Sequence, residues 1–293
     1  MAVEQFVDRL TLQRIDRDIF TGRCHAGLGA SVRAYGGQIA AQALMAAGST
    51  VEHPQRHVHS LHCYFLRPGR SSDPLTYLVE RPRDGRSFST RIVRAVQQGE
   101  TIFFMTTSFA TVDEGPAHQF TMPTVPPPEA TQRIDLNAAL LPAASLPAGT
   151  APLTDVGIAL HIDEDLAVPL PLLDGRYERH QWVRITQPVP DDPLAQACAL
   201  TYLSDLTMAY TSLSPHRDAA GDLQVASIDH AVWFHGPLAV ESWLLFTQDT
   251  PAAHGGHGLA RGLFFDEQGR LVASVVQESL MRSRRPPGAG AIG

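Results

Sequence analysis

The sequence contains no lysine: all 23 basic residues among its 293 are arginine. A Schiff base, a pyridoxal phosphate anchor and a GxxxxGK(S/T) phosphate loop each need a lysine amine, so those chemistries are excluded. Cysteine is scarce as well. Cys24, Cys63 and Cys198 form no CxxC pair and are odd in number, which supplies neither a disulfide framework nor a zinc knuckle and reads as reduced packing thiols. No run approaches the roughly 20 apolar residues of a membrane span. Residues 1–10 carry Glu4 and Asp8 and lack an apolar signal core, so a cytoplasmic protein is expected. The net charge of −7 argues against nucleic acid, which needs a basic face. Neither GxSxG nor HExxH occurs, which removes the serine nucleophile elbow and one class of zinc hydrolase.

What is present is core material. With 44% hydrophobic and 18% charged residues the chain can fill one large domain or two of about 100–150 residues. Its middle changes character: Met122-Pro-Thr-Val-Pro-Pro-Pro-Glu129, Leu141-Pro142 and Leu146-Pro-Ala-Gly149 carry proline at a density that no sheet interior or helix accepts. An extended surface crossing between two halves follows. The chain then divides into a first module at 1–110, a proline-rich linker at 111–154 and a second module at 155–293, with a tail that frays from about 284.

The halves resemble each other. A shift of 170 lays Gly85 on Gly255, Arg91 on Arg261 and Gly99 on Gly269, and a shift of 169 lays Phe65 and Pro68 on Phe234 and Pro237, the pattern of a divergent tandem repeat. In the first half a glycine pair opens an alanine-rich helix over 35–47, apolar all round and therefore buried. Strands follow at 58–66, 75–81, 88–97 and 101–110. In the second half, strands at 161–165 and 181–187 precede a helix over 193–209, and strands at 225–234, 242–250, 258–265 and 271–281 come after it. The fold class is α+β, one helix and one antiparallel meander in each half, the sheet wrapped round its helix.

Candidate chemistry is sparse. His57 and His59 share a strand face, but His62 points to the other and no acidic third ligand is near, so they read as structural or surface histidines and no metal is expected. His254-Gly-Gly-His-Gly258 resembles a phosphate loop, yet a strand follows where a helix would be needed, and a hairpin loop is the better reading. Asp205 puts one carboxylate into an apolar helix. It is either a surface aspartate bonded to Ser204 or Thr207, or a buried group kept for chemistry despite the cost of burying it. Ser227 at the start of a strand and Gln277 in the middle of an apolar one are, taken singly, ordinary strand residues. Together, a carboxylate, a hydroxyl and an amide from three elements can surround a water molecule.

The strings Tyr35-Gly-Gly-Gln, Val58-His-Ser-Leu-His-Cys-Tyr-Phe-Leu-Arg-Pro-Gly69, Arg83-Asp-Gly-Arg-Ser-Phe-Ser89, Ser204-Asp205-Leu206, Ser227-Ile-Asp-His-Ala-Val-Trp-Phe-His235 and Val276-Gln-Glu278 resemble the acyl-CoA thioesterase II family, in order, from about residue 20 to 282. The resemblance implies a double hotdog fold, two tandem modules each with an antiparallel sheet wrapped round a long helix. It implies hydrolysis of fatty acyl-CoA to free acid and CoA, with no metal or organic cofactor. It also implies a catalytic aspartate at Asp205, a glutamine at Gln277 and a hydroxyl residue at Ser227, where the family usually has threonine. The serine keeps the oxygen and loses the methyl that restricts its rotamer.

Two other readings compete: a hotdog hydratase or dehydratase, which needs an Asp and His pair poised on the acyl chain, and a regulatory module that binds acyl-CoA without turning it over. Adjacent residues of a strand face opposite ways, so Asp229 and His230 make a poor pair and the hydratase ranks below the hydrolase. Without lysine, the phosphates of CoA fall to arginine, with Arg67 and Arg70, Arg81, Arg83 and Arg86, and Arg282, Arg284 and Arg285 as candidates. A homo-oligomer, dimer or larger, is expected.

Overall fold

Alternation decides the sheet. In β5 (Phe88–Gln97) Ser89, Arg91, Val93, Ala95 and Gln97 are buried, and in β6 (Glu100–Ala110) Phe103, Met105, Thr107 and Phe109 are, while most residues between them are less so. Period-two burial is what an antiparallel sheet with one packed face requires. A computed structural model describes residues 5–24, 33–133, 157–162, 175–216 and 222–284. The described strands form one sheet in the spatial order β1 (Gln13–Asp16), β2 (Ile19–Arg23), β4 (Pro74–Asp84), β5, β6, β3 (His57–Phe65), β11 (Asp229–Phe234), β14 (Leu271–Ser283), β13 (His257–Asp266), β12 (Leu244–His254), β9 (Glu178–Ile185), β8 (Ile158–Ile162) and β7 (Gln132–Arg133), with β10 (Leu223–Ser227) also on β14. The order β2-β4-β5-β6-β3 recurs as β9-β12-β13-β14-β11, and the two runs meet where β3 pairs with β11.

Helices α1 (Gly36–Gly48) and α2 (Pro193–Ser204) pack against each other, and α1 also covers β3, β4, β5 and β6. Alanine makes this possible. Ala40, Ala41, Ala43, Ala46 and Ala47 are all buried, so α1 meets α2 and the sheet at once. Its two buried amides are satisfied: the Nε2 groups of Gln38 and Gln42 donate to the carbonyls of Arg9 and Arg23, and Tyr77 Oη donates to Gln42 Oε1 at 2.7 Å. No helix among the described residues is long and apolar enough to cross a membrane.

Three expectations change. The helix expected over 193–209 ends at Ser204, Asp205 is its C-cap, and a separate helical turn follows at Met208–Thr211. Ser, Asp and Thr side chains compete with the helical ladder; Thr207 Oγ1 accepts from Gln181 and Gln248 at 2.6 and 2.5 Å, which holds the break open. The strand expected over 225–234 is two strands. Ser227 lies opposite Ser279, so a continuous register would put Ala231 opposite Val275, but it lies opposite Val276. The extra residue is a β-bulge around Ile228, whose N–H donates to Glu278 O and whose carbonyl accepts from Phe65 N, both at 2.9 Å. Strands β1 and β2 were not expected, because the fully exposed β1 carries no alternation.

The proline-rich crossing is docked along residues 111–133. Trp182 Nε1 donates to Pro126 O at 2.9 Å, Met122 and Val125 pack with Trp182, Leu245 and Phe265, and Gln119 bonds to Gly269 O and Leu271 N. The rest of that crossing, 134–154, and the tail from 285 lie outside the described residues. Gly255 and Gly256, at φ 61° and 80°, form the two-residue turn of the β12–β13 hairpin, in place of a phosphate loop.

Arg91 and Arg261, matched by the shift of 170, differ in role. Arg261 is exposed and bonds Asp249, with Nε 2.9 Å from Oδ1. Arg91 is fully buried: Nε donates to Thr50 Oγ1 at 2.7 Å, Nη2 to Thr50 O and both Asp84 oxygens, and Nη1 to the carbonyls of Arg83 and Thr90. It ties the end of α1 to β4 and β5. Arg91→Met is expected to lower the unfolding free energy in urea by about 2–4 kcal/mol, less than for a wholly buried pair because Asp84 is partly exposed. A loss under about 1 kcal/mol would show that this network does not hold the strand.

Candidate active site

The site begins with where α2 stops. As the C-cap, Asp205 leaves the helix with its carboxylate buried against the first turn of α1. The backbone of Gly37 hydrogen-bonds to it, and Ser227 Oγ donates to Oδ1 at 3.2 Å. Gln277, fully buried on β14, also bonds the carboxylate and donates from Nε2 to Ser227 Oγ at 2.9 Å. Asp205, Ser227 and Gln277, singled out from the sequence, therefore converge in space. The surface reading of Asp205 fails, since its partners are neither Ser204 nor Thr207.

The glycine pair explains the close approach. A Cβ on Gly36 would lie 2.9 Å from Asp205 Oδ2 and 2.9 Å from the Phe65 ring, and one on Gly37 would meet the Tyr202 carbonyl at 2.7 Å. Tyr35, the N-cap, offers no side-chain cap, and its hydroxyl donates instead to Tyr202 O at 2.8 Å. The N–H groups of an uncapped helix start favour a negative charge. The first half of the chain thus supplies a hydrogen bond to a carboxylate of the second.

Burial pushes the Asp205 carboxyl up to about 7, against the hydrogen bonds from Ser227, Gly37 and Gln277 that pull it down. The nearby phenols of Tyr35 and Tyr210 rise, through burial first and the Asp205 charge second. His230 was not read from the sequence as part of this group. It is buried with Nδ1 2.6 Å from Gln277 Oε1 and Nε2 2.7 Å from Ser204 Oγ, and burial pushes it down to about 4, so it is neutral near pH 7. A buried base near neutrality, a hydroxyl, an amide and a helix start suit the activation of a small polar nucleophile.

The remaining candidates lie elsewhere. His57 is exposed, His59 stacks edge-on with Phe88, and His62 stacks with Trp233. Among the described residues no group of three or more His, Cys, Asp or Glu side chains can hold a metal ion. Burial raises all three thiols, Cys24 to about 12, so none is a thiolate at neutral pH.

Comparison with known proteins decides the family. A family model described as "Acyl-CoA thioesterase" matches residues 163–280, and one described as "Acyl-CoA thioesterase N-terminal domain" matches 26–110. The Acyl-CoA thioesterase 2 of Haemophilus influenzae is 37% identical, over 96% of this chain and 98% of its own. The chain belongs to the acyl-CoA thioesterase II family. Its structure is similar to an acyl-CoA thioesterase II from Mycobacterium marinum, at a TM-score of 0.81 and 38% identity, covering 97% of this chain and 99% of that one. A protein of Alicyclobacillus acidocaldarius described as having a hot dog fold matches at a TM-score of 0.75 and 22% identity, over 96% and 98% of the two chains, a likeness of fold alone. In this chain, two of the arginines offered for nucleotide binding are already engaged: Arg67 pairs with Glu100 at 3.2 Å, and Arg81 bridges Asp18 and Glu52 at 2.7 and 2.9 Å. Arg285 lies outside the described residues.

A carboxyl raised to about 7 in the folded state, against an ordinary 3.8, costs stability when it ionises. The cost is absent below the unfolded value, grows as pH rises, and is complete above about 7, where it reaches on the order of 4 kcal/mol. Asp205→Asn removes the charge and keeps an acceptor for Gly37. Its stability relative to the parent is expected to rise steadily from pH 4.5 to 8 in urea unfolding, and a pH-independent difference would show that the carboxyl titrates normally.

Proposed function

We propose that the chain hydrolyses acyl-CoA thioesters to free acid and CoA by direct attack of water, with Asp205 as general base and Ser227 and Gln277 as the groups that orient the water. The observation that carries this is the convergence of one buried carboxylate, one hydroxyl and one amide, from three separate elements, in a member of this family. Asp205 takes a proton as the water oxygen bonds to the carbonyl carbon. The oxyanion collapses, the C–S bond breaks, and the sulfur of CoA leaves with the proton. The thioester is electrophilic enough that no covalent acyl-enzyme is needed, and the uncapped first turn of α1 offers N–H donors for the developing oxyanion. The hydratase reading loses ground because Asp229 faces away, its Oδ1 accepting from Glu278 N at 2.7 Å, while His230 faces inward.

The same proposal reads the fold as a double hotdog, with modules at 1–110 and 155–293 and the crossing at 111–154. The repeated strand order supports it, as does the phase of burial. Val93 and Ala95 of β5 correspond to Gly262 and Phe264 of β13 at a shift of 169, while Met105 and Thr107 of β6 correspond to Val275 and Gln277 at 170. The added residue falls in the β13–β14 loop, longer than the two-residue turn between β5 and β6, and this phase sets Arg91 against Ala260 and not Arg261. A cytoplasmic homo-oligomer completes the proposal, its contact supported by the exposed Tyr64 and Leu66.

Free CoA, measured with a thiol reagent over a panel of acyl-CoAs, tests the activity. Asp205→Asn is expected to lower kcat by about 10²–10⁴. The parent rate should rise with pH through a limb near 7, because only the ionised carboxylate accepts a proton, and should level off above it. A limb unchanged in a still-active Asp205→Asn enzyme would move the base elsewhere. Ser227→Ala is expected to raise the activation free energy by about 1–2 kcal/mol, while Ser227→Thr stays near the parent. Equal kcat values for Ser227→Ala and the parent would reduce Ser227 to a strand residue.

A further inference from the structure

His230 sits where a regular strand would not put it. Residues three apart on a strand face opposite ways, yet Ser227 and His230 both reach Gln277, Ser227 Oγ at 2.9 Å from Nε2 and His230 Nδ1 at 2.6 Å from Oε1. The bulge around Ile228 brings them to one face. A single imidazole buried in this way, with both nitrogens bonded, is tied to the amide that faces Ser227 and Asp205.

Counting protons gives the network a direction. An ionised Asp205 can only accept, so the one hydroxyl proton of Ser227 goes to Oδ1. Ser227 Oγ must then accept from Gln277, which fixes Nε2 toward Ser227 and Oε1 toward His230. An amide oxygen cannot donate, so the imidazole proton lies on Nδ1, and Nε2 accepts from Ser204 Oγ. Ser204 Oγ is also 2.9 Å from Thr201 O, but its single proton is committed to Nε2. Ser204, His230, Gln277 and Ser227 thus donate in sequence toward Asp205.

We infer that His230 is a positioning residue for hydrolysis: its Nδ1–H holds the Gln277 amide in the one orientation that presents Nε2 to Ser227 and Asp205. This rests on the proposed hydrolytic role of Asp205, Ser227 and Gln277. Without the imidazole donor the amide can rotate, putting Oε1 toward Ser227 and the carboxylate, where it repels the groups it should support.

His230→Asn and His230→Leu test this, because their side chains share one branched skeleton and leave similar space, while only asparagine keeps a donor at the place of Nδ1. Leucine is expected to lower kcat about ten- to hundredfold with KM little changed, and asparagine to recover most of the loss. Equal losses in the two variants would overturn the inference. In a Gln277→Ala background the two substitutions should give equal kcat, and a difference persisting there would show that His230 acts by another route. Imidazole nitrogen NMR of the parent enzyme supplies a readout independent of variant folding, with Nδ1–H expected and an Nε2–H tautomer overturning the inference. If Gln277→Ala alone leaves kcat unchanged, the hydrolytic role of Gln277 fails, and with it the basis of this inference; a slow Gln277→Ala enzyme with equal His230 variants faults the inference alone.

Discussion

The proposed chemistry depends on keeping one carboxylate, that of Asp205, out of water without neutralising it for good. Burial alone would hold Asp205 protonated through the neutral range, and full solvation would leave it too weak a base. The balance comes from Gly37, Ser227 and Gln277, whose hydrogen bonds offset part of the desolvation and leave the group near 7. That requirement reaches into the helix packing. The backbone of α1 must touch the carboxylate, so positions 36 and 37 have no room for a Cβ, and buried alanines let α1 and α2 lie side by side.

The sheet supplies the other half of the arrangement through an irregularity. A continuous β10–β11 strand could present either Ser227 or His230 to Gln277, but not both. One added residue at Ile228 presents both, at the cost of two broken ladder positions that Glu278 and Phe65 close with backbone bonds. Strand β11 also joins the two sheet halves through β3. The bulge therefore sits where β10 and β11, the sheet junction and the candidate site meet, and a shift of register there would move all three together.

Much of this was legible from the residues. The alanine-rich pattern after Tyr35 marks α1 as buried on all sides, and the strands expected at 75–81, 88–97, 101–110 and 271–281 are β4, β5, β6 and β14 within a few residues. Asp205 stands out as the one charge in an apolar helix. Ser227 and Gln277, taken singly, are ordinary strand residues; they gain meaning only beside Asp205, and their roles came from the resemblance to a family. What stayed hidden was geometry across the chain. Gly37 is read as a helix opener, and nothing local says that its N–H meets a carboxylate 168 residues away. His230 follows Asp229 in a strand, and its side of the sheet depends on a bulge whose register is fixed by β14. Under the proposed double hotdog, Arg91 answers to Ala260 and not to Arg261, since one hairpin is a residue longer than the other.

The helix pair also explains why the buried polar groups gather at one end. Asp205 lies at the start of α1, whereas at the other end Gly48 of α1 meets Leu194 of α2 so closely that an added Cβ would fall 2.4 Å from that side chain. The two helices are therefore antiparallel, and each end offers one helix start. At the far end Asp192 caps α2 itself, its Oδ2 accepting from Ala195 N at 2.9 Å, while the leucine fills the space beside it. Along the sheet, Thr107 stands at the position of Gln277 and gives its hydroxyl to Ser60 O, and the buried Val58 stands where Ser227 does. One helix start satisfies its donors from its own sequence and closes. The other, left uncapped by Tyr35, has donors to spend on a charge from elsewhere in the chain, and the Gly37 N–H goes to Asp205.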